Sequence, residues 1–176
     1  MRNFLMDKFE DYNILHDDSV PTTNYRIIGI GIDGSQNSHN ALVWAAENII
    51  RIDTDLIILV HVRSEAEYSI ETESTSQGKS EKIVSAEIDF LKTIDKKIAI
   101  KAISLVGDAR DEICNVAKAF KTDMLIVGSR GISPVKRLVY QCKFRLILGS
   151  TSDYLVHHAP CPVIVIREHD EQTIVS

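Results

Sequence analysis

The chain has 176 residues, 44% apolar and 26% charged, enough for one core with tails and ordinary for a water-soluble domain. A net charge of -5 argues against a protein built to bind nucleic acid, which would carry a basic face. No apolar run approaches the ~20 residues that cross a bilayer, residues 1–10 lack the apolar stretch of a secretion signal, and three cysteines without CxxC spacing point to free thiols in a reducing compartment. The expectation is a cytoplasmic protein with no membrane segment and no nucleic-acid partner.

Residues 1–24 are polar and acidic, with Asp7, Glu10, Asp11, Asp17 and Asp18, and read as a mostly disordered tail. A globular pattern runs over residues 25–167, and 168–176 form a second tail. Ile27 to Ile32 is an apolar run suited to a buried strand, turned by Asp33-Gly34-Ser35. A helix follows, with Leu42, Ala45, Ala46 and Ile49 on one face. Leu56 to Val62 is a second buried strand. Ser64 to Ser80, rich in Glu, Ser and Thr, reads as a surface loop. A helix from Ser80 to Lys96 carries Ile83, Ala86, Phe90 and Ile94 on one face, and Ile98 to Val106 is the third strand. Asp108 suits the N-cap of a helix with the stripe Ile113, Val116, Ala117 and Phe120. Asp123 to Val127 is the fourth strand, Ser150 to His158 a short helix stopped by Pro160, and Pro162 to Ile166 the fifth strand. Apolar strands alternating with helices predict an α/β fold, a parallel sheet covered on both faces.

In such a sheet ligands bind beyond the carboxyl ends of the strands, where the strand order reverses. Two predicted strand ends have unusual chemistry: Gly31-Ile32-Asp33-Gly34-Ser35 and Gly128-Ser129-Arg130-Gly131. Glycines at 128 and 131 would let backbone amides approach an anion. Gly149-Ser150-Thr151-Ser152 opens a helix whose first amides and dipole favour phosphate. Asp33 suits a ribose hydroxyl, an adenine amine or Mg²⁺. Plainer readings stand beside these: tight-turn glycines, Ser150 as an N-cap, and Asp33 as the cap of the first helix. Gly29 to Gly34 spells GxGxxG, with Asp53 and Asp55 about 20 residues beyond. These glycines fall within the strand and the acids precede the second one, so NAD is not the predicted ligand. There is no P-loop and no GxSxG nucleophile elbow. His61 reads as a packed histidine and Trp44 as core edge. His157 and His158, being adjacent, face apart and make no metal pair.

The segment from Gly128-Ser129-Arg130-Gly131 to Gly149-Ser150-Thr151-Ser152 and on through Ala159-Pro160-Cys161-Pro162-Val163-Ile164-Val165-Ile166 resembles the universal stress protein family. The opening around Ile28 to Ala46 and the strand ending His61-Val62 are similar to that family too. The resemblance spans residues 25–167. It implies a flavodoxin- or Rossmann-like five-stranded parallel sheet of order 3-2-1-4-5, counting predicted strands along the chain. It also implies ATP or AMP binding, with Mg²⁺, between the ends of predicted strands one and four. Ile32, Asp33 and Val62 would lie around adenine and ribose. Gly128, Arg130, Gly131, Gly149, Ser150 and Thr151 would hold ribose and phosphates. It further implies a homodimer through the last strand, and the β-branched run Val163 to Ile166 fits an edge that invites pairing.

Gly131 and Gly149 are separated by seventeen residues where the family has nine, an excess of eight that Val139 to Leu146 would account for. Blocks 137–144 and 138–145 would serve equally. The insertion bulges outward, or brings Lys143 and Arg145 over the phosphates, or displaces Gly149 and weakens binding. The expected function is a dimeric adenine-nucleotide sensor of the stress response. The rivals are a nucleotide-free dimerisation protein and a slow ATPase; no dedicated general base or nucleophile stands out.

Overall fold

The computed structural model describes residues 13–18, 25–64, 73–129 and 149–167. Within them lie β1 (Asn13–Asp17), β2 (Arg26–Ile32), α1 (Gln36–Asn48), β3 (Asp55–Arg63), α2 (Glu73–Ile94), β4 (Ala99–Val106), α3 (Ala109–Phe120), β5 (Met124–Gly128), α4 (Ser150–His158) and β6 (Val163–Ile166). They build one sheet of order β1-β4-β3-β2-β5-β6. β2, β3, β4, β5 and β6 run parallel, so the five predicted strands take their expected 3-2-1-4-5 order. The chain steps outward from β2 to β3 and β4, then returns to the other side of β2 for β5 and β6. The reversal lies between β2 and β5, where Ile30 faces Leu59 on one side and Ile126 on the other.

β1 corrects the expected five-stranded sheet and the expected tail. Residues 13–17 pair antiparallel with β4, Asn13 opposite Ser104 and Asp17 opposite Lys101. Of the acids in the expected tail, Asp17 and Asp18 are ion-paired, and Asp7, Glu10 and Asp11 lie outside the described residues. Asp17 meets the buried Lys101 at 2.6 Å, and Asp18 meets Lys92 of α2 at 2.8 Å and accepts from the Ile100 amide at 2.9 Å. Burial alone would raise the Asp18 carboxyl, but hydrogen bonds from Lys92 and the Ile100 amide, with the Lys92 charge, outweigh it and hold it below its ordinary value.

Side chains alternate across the sheet and divide the core in two. Ile28 and Ile30 of β2, Ile57 and Leu59 of β3, and Ile100 of β4 face α1 and α2, packing with Leu42, Val84 and Leu91. Leu56, Ile58 and Val60 of β3, with Leu125 and Val127 of β5, face α3 and α4, packing with Ile113, Val116, Phe120 and Leu155. Complete burial of such side chains contributes roughly 1.5–3 kcal/mol each.

Two of the predicted helical faces hold and one does not. α3 buries Ile113, Val116, Ala117 and Phe120, with Asp108 as N-cap accepting from the Arg110 amide. α1 buries Leu42 and Ala45 of its predicted face, with Ala46 and Ile49 half-buried against the same core and Ala41 buried beside them. α2 begins at Glu73, inside the predicted loop, and turns a different face inward: Ser80, Val84, Glu87 and Leu91 are buried, while Ile94 is 49% exposed. Glu87 belongs to this buried face, its carboxylate meeting His39 of α1 at 2.8 Å. At the amino end of the sheet Arg26 forms a two-pronged ion pair with the buried Asp55, at 2.9 and 2.6 Å. Asp55 thus serves the end opposite the reversal point, which removes it from any dinucleotide motif.

Candidate functional site

A cleft of about 960 Å³ opens at the carboxyl ends of the strands, at the reversal point. Of the residues singled out from sequence, Ile32, Asp33, Val62, Gly128, Gly149, Ser150 and Thr151 all line it. Arg130, Gly131 and the inserted block near 139–146 lie outside the described residues. Gly149 and Ser150 share the cleft with Gly128, the juxtaposition an intact phosphate site requires.

The turn after β2 is built from short polar side chains. Gly34 has φ +74°, a left-handed conformation that glycine takes without a steric cost, and Ile83 of α2 closes over it. The Asp33 carboxylate accepts from the Ser35 amide at 2.9 Å. Ser35 is the N-cap of α1, its hydroxyl accepting from the Ser38 amide at 3.2 Å. Asp33 is therefore the brace of the turn and not the helix cap, and it remains at the cleft wall.

Gly128 has a different reason for lacking a side chain than the one expected. A Cβ there would fall 2.6 Å from the Asn37 carbonyl carbon and 3.0 Å from the Ser38 nitrogen, and closer still to the Asn37 oxygen. The start of α1 packs directly on the end of β5. The missing Cβ lets α1 approach, and through it fixes Asn37 and Ser38 along the cleft.

Three of the described helices begin at this cleft. α1 and α3 are capped by Ser35 and Asp108. α4 is not: its N-cap is Gly149, in extended conformation, with no side-chain cap hydrogen bond, and Ser150 is the first helical residue. This corrects the reading of Ser150 as a cap. The first amides of α4 have no intrahelical acceptor and carry the positive dipole end, the arrangement that binds anions. Asp153 in the same first turn limits that potential. At the α3 cap, hydrogen bonds from the Arg110 side chain and amide hold the Asp108 carboxyl at about 2.

The cleft also holds residues not singled out as ligands from sequence: Arg63, Lys79, Ser80 and Arg110. Arg63 is the last residue of β3, and the last residue of a parallel strand beside the reversal reaches the cleft whatever its type. Lys79 and Ser80 were concealed because their helix begins within a polar stretch. His61, expected to be packed or hydrogen-bonded, is buried and lines the cleft beside them. Among the described residues no group of three His, Cys, Asp or Glu side chains can hold a metal ion, and no helix is long and apolar enough to cross a membrane.

The universal stress protein family model matches residues 24–167. Universal stress protein PHOS32 of Arabidopsis thaliana is 29% identical over 166 residues, covering 84% of this chain, which spans 66% of that protein's own length. Universal stress protein YxiE of Bacillus subtilis is 30% identical over 152 residues, covering 78% of this chain and 96% of that protein. Among solved structures, a universal stress protein family protein of Arabidopsis thaliana with AMP bound aligns with a TM-score of 0.59 at 23% identity, over 85% of this chain and 96% of that one. That likeness shows a shared fold. The match over most of the chain and the relative that it spans almost completely establish that the chain belongs to the universal stress protein family.

Proposed function

We propose that the cleft binds an adenine nucleotide and that the protein acts as a nucleotide-dependent sensor or regulator. The observation that carries this reading is the uncapped N-terminus of α4 opening onto a cleft at the reversal point of the sheet. Ser150 and Thr151 would take the phosphates there, with backbone amides and hydroxyls as donors. Asp33 and Val62 would flank ribose and base. The AMP-bound relative supports the adenine class. Any Mg²⁺ would arrive on the phosphates, since no described cluster builds a metal site by itself; it would neutralise phosphate charge, and Asp33, Ser150 and Thr151 in the cleft carry oxygens that could hold it. β6 is an edge strand of four half-buried β-branched residues, and pairing with a second copy along it would give the homodimer.

The test uses the cap itself. Gly149 has φ -61° and ψ 154°, which an L residue adopts freely. Gly149→Asp places a carboxylate where the phosphate would sit and supplies a favoured N-cap, worth roughly a few tenths of a kcal/mol over glycine. Thermal stability is expected to hold or rise while AMP and ATP binding is lost. Undiminished binding in this variant would remove the α4 N-terminus from the site.

A further inference from the structure

The start of α3 brings to the cleft a guanidinium that lies outside the phosphate-loop motif. Arg110 lines the cleft together with Asp108, Gly149, Ser150 and Thr151. Its side chain is 47% exposed, so a solute can reach it. Its position is nonetheless fixed. Nε donates to both Asp108 oxygens, at 3.0 and 3.1 Å, and Nη2 donates to Oδ2. The guanidinium carbon lies 5.6 Å from the centre of the Tyr154 ring on α4. The Tyr154 hydroxyl in turn donates to Asp111 of α3 at 3.0 Å.

Two consequences follow from this geometry. Asp108 occupies the Nε–Nη2 edge of the guanidinium, which leaves the Nη1 edge and its two N–H groups to face an incoming anion. The Tyr154 ring is stacked on His158 at 3.9 Å, and Arg110 lines the same cleft as the first turn of α4, the turn whose amides lack a side-chain cap. An oriented guanidinium edge and an uncapped helix start, supplied by different elements, meet in one cleft.

The nearby carboxylates are already committed: Asp108 to Arg110 and Asp111 to Tyr154. A cation in the first turn of its own helix is disfavoured by the dipole, so Arg110 gains nothing there from α3 itself. Contacts to base, ribose and the first phosphate are common to all adenine nucleotides. Only a group beyond the first phosphate can distinguish a triphosphate, and a guanidinium edge suits its terminal oxygens.

We infer that Arg110, oriented by Asp108 and Tyr154, engages the terminal phosphates of the bound nucleotide and makes the cleft prefer the triphosphate to the monophosphate. The inference rests on the nucleotide function proposed above and goes beyond it by assigning the ligand's charge class to a residue of α3.

The experiment is calorimetric titration of the full chain with ATP and with AMP, in Mg²⁺ at fixed ionic strength, for the wild type, Arg110→Gln and Arg110→Lys. Thermal unfolding of each variant reports the fold. ATP is expected to bind more tightly than AMP to the wild type. In Arg110→Gln the ATP-to-AMP affinity ratio is expected to fall about tenfold, the scale of one charge-assisted contact. Arg110→Lys should restore part of it, because lysine supplies the charge without the fork. A purely structural role would weaken both nucleotides together and leave the ratio alone. A wild type with no preference, or a ratio unchanged in Arg110→Gln, overturns the inference and leaves nucleotide binding standing; a wild type that binds neither nucleotide overturns both.

Discussion

At the scale of single residues, the cleft is shaped by contacts that are not themselves ligand contacts. Gly128 admits the start of α1, so Gly128→Ala must push the Asn37–Ser38 backbone away from β5. A destabilisation of about 1–3 kcal/mol is expected, read as a lower thermal midpoint, together with weakened nucleotide affinity because Asn37 and Ser38 line the cleft. Arg26 and Asp55 make a second residue-scale prediction. Arg26→Met strands a carboxylate whose side chain is 0% exposed and should cost about 3–5 kcal/mol in denaturant unfolding. The Arg26→Met, Asp55→Leu double variant should be the more stable of the two. The place of Ser150 and Thr151 at a helix start on the cleft was legible in sequence because the residues opening a helix can be read in order. The place of Arg110 was not, because it meets Tyr154, a residue 44 positions along the chain that is adjacent only in space.

At the scale of elements, legibility followed how locally each element is determined. α3 could be read completely: every buried position is apolar and the spacing is helical. α2 could not, because Glu87 is buried through His39, and an apolar stripe cannot reveal an acid satisfied by another helix. β1 was hidden for the same reason. Its acids are paired with Lys92 and Lys101, more than 70 residues away. The Asp18 carboxyl is depressed in the folded chain, so its contribution to holding β1 is complete above the ordinary value of 3.8 and is lost as pH falls through the lower folded value. Amide exchange should therefore show β1 and the facing amides of β4 losing protection in acid before the β2–β3 pairs do. Equal loss across the sheet would contradict the Asp18 latch. At neutral pH, Asp18→Asn should weaken protection at the Ile100 amide, which donates to that carboxylate.

At the scale of the whole molecule, the added strand changes what the sheet exposes. β1 extends the β4 side, so β1 and β6 are the two edges of the described sheet, and β6, with its β-branched run, is the one proposed to pair with a second copy. Light scattering is expected to give a dimer, and Val165→Lys, which places a charge on that edge, is expected to give a folded monomer. A wild-type monomer at micromolar concentration would contradict dimerisation through β6. A parallel sheet covered on both faces was legible because apolar runs alternate with helical crossovers, whereas the 3-2-1-4-5 order of its strands was implied only by the family resemblance. The path between Gly128 and Gly149 was not legible, since a spacing of glycines does not specify how inserted residues between them are accommodated.

The central claim is that this cleft binds an adenine nucleotide, and calorimetric titration of the purified chain with Mg-ATP tests it most directly, beside a variant lacking residues 139–146. Saturable binding near one nucleotide per chain in the intact protein is the predicted result. No heat of binding in the intact protein, with binding recovered in the deletion variant, would contradict it, and would make this chain a nucleotide-free dimerisation protein whose inserted block closes the site.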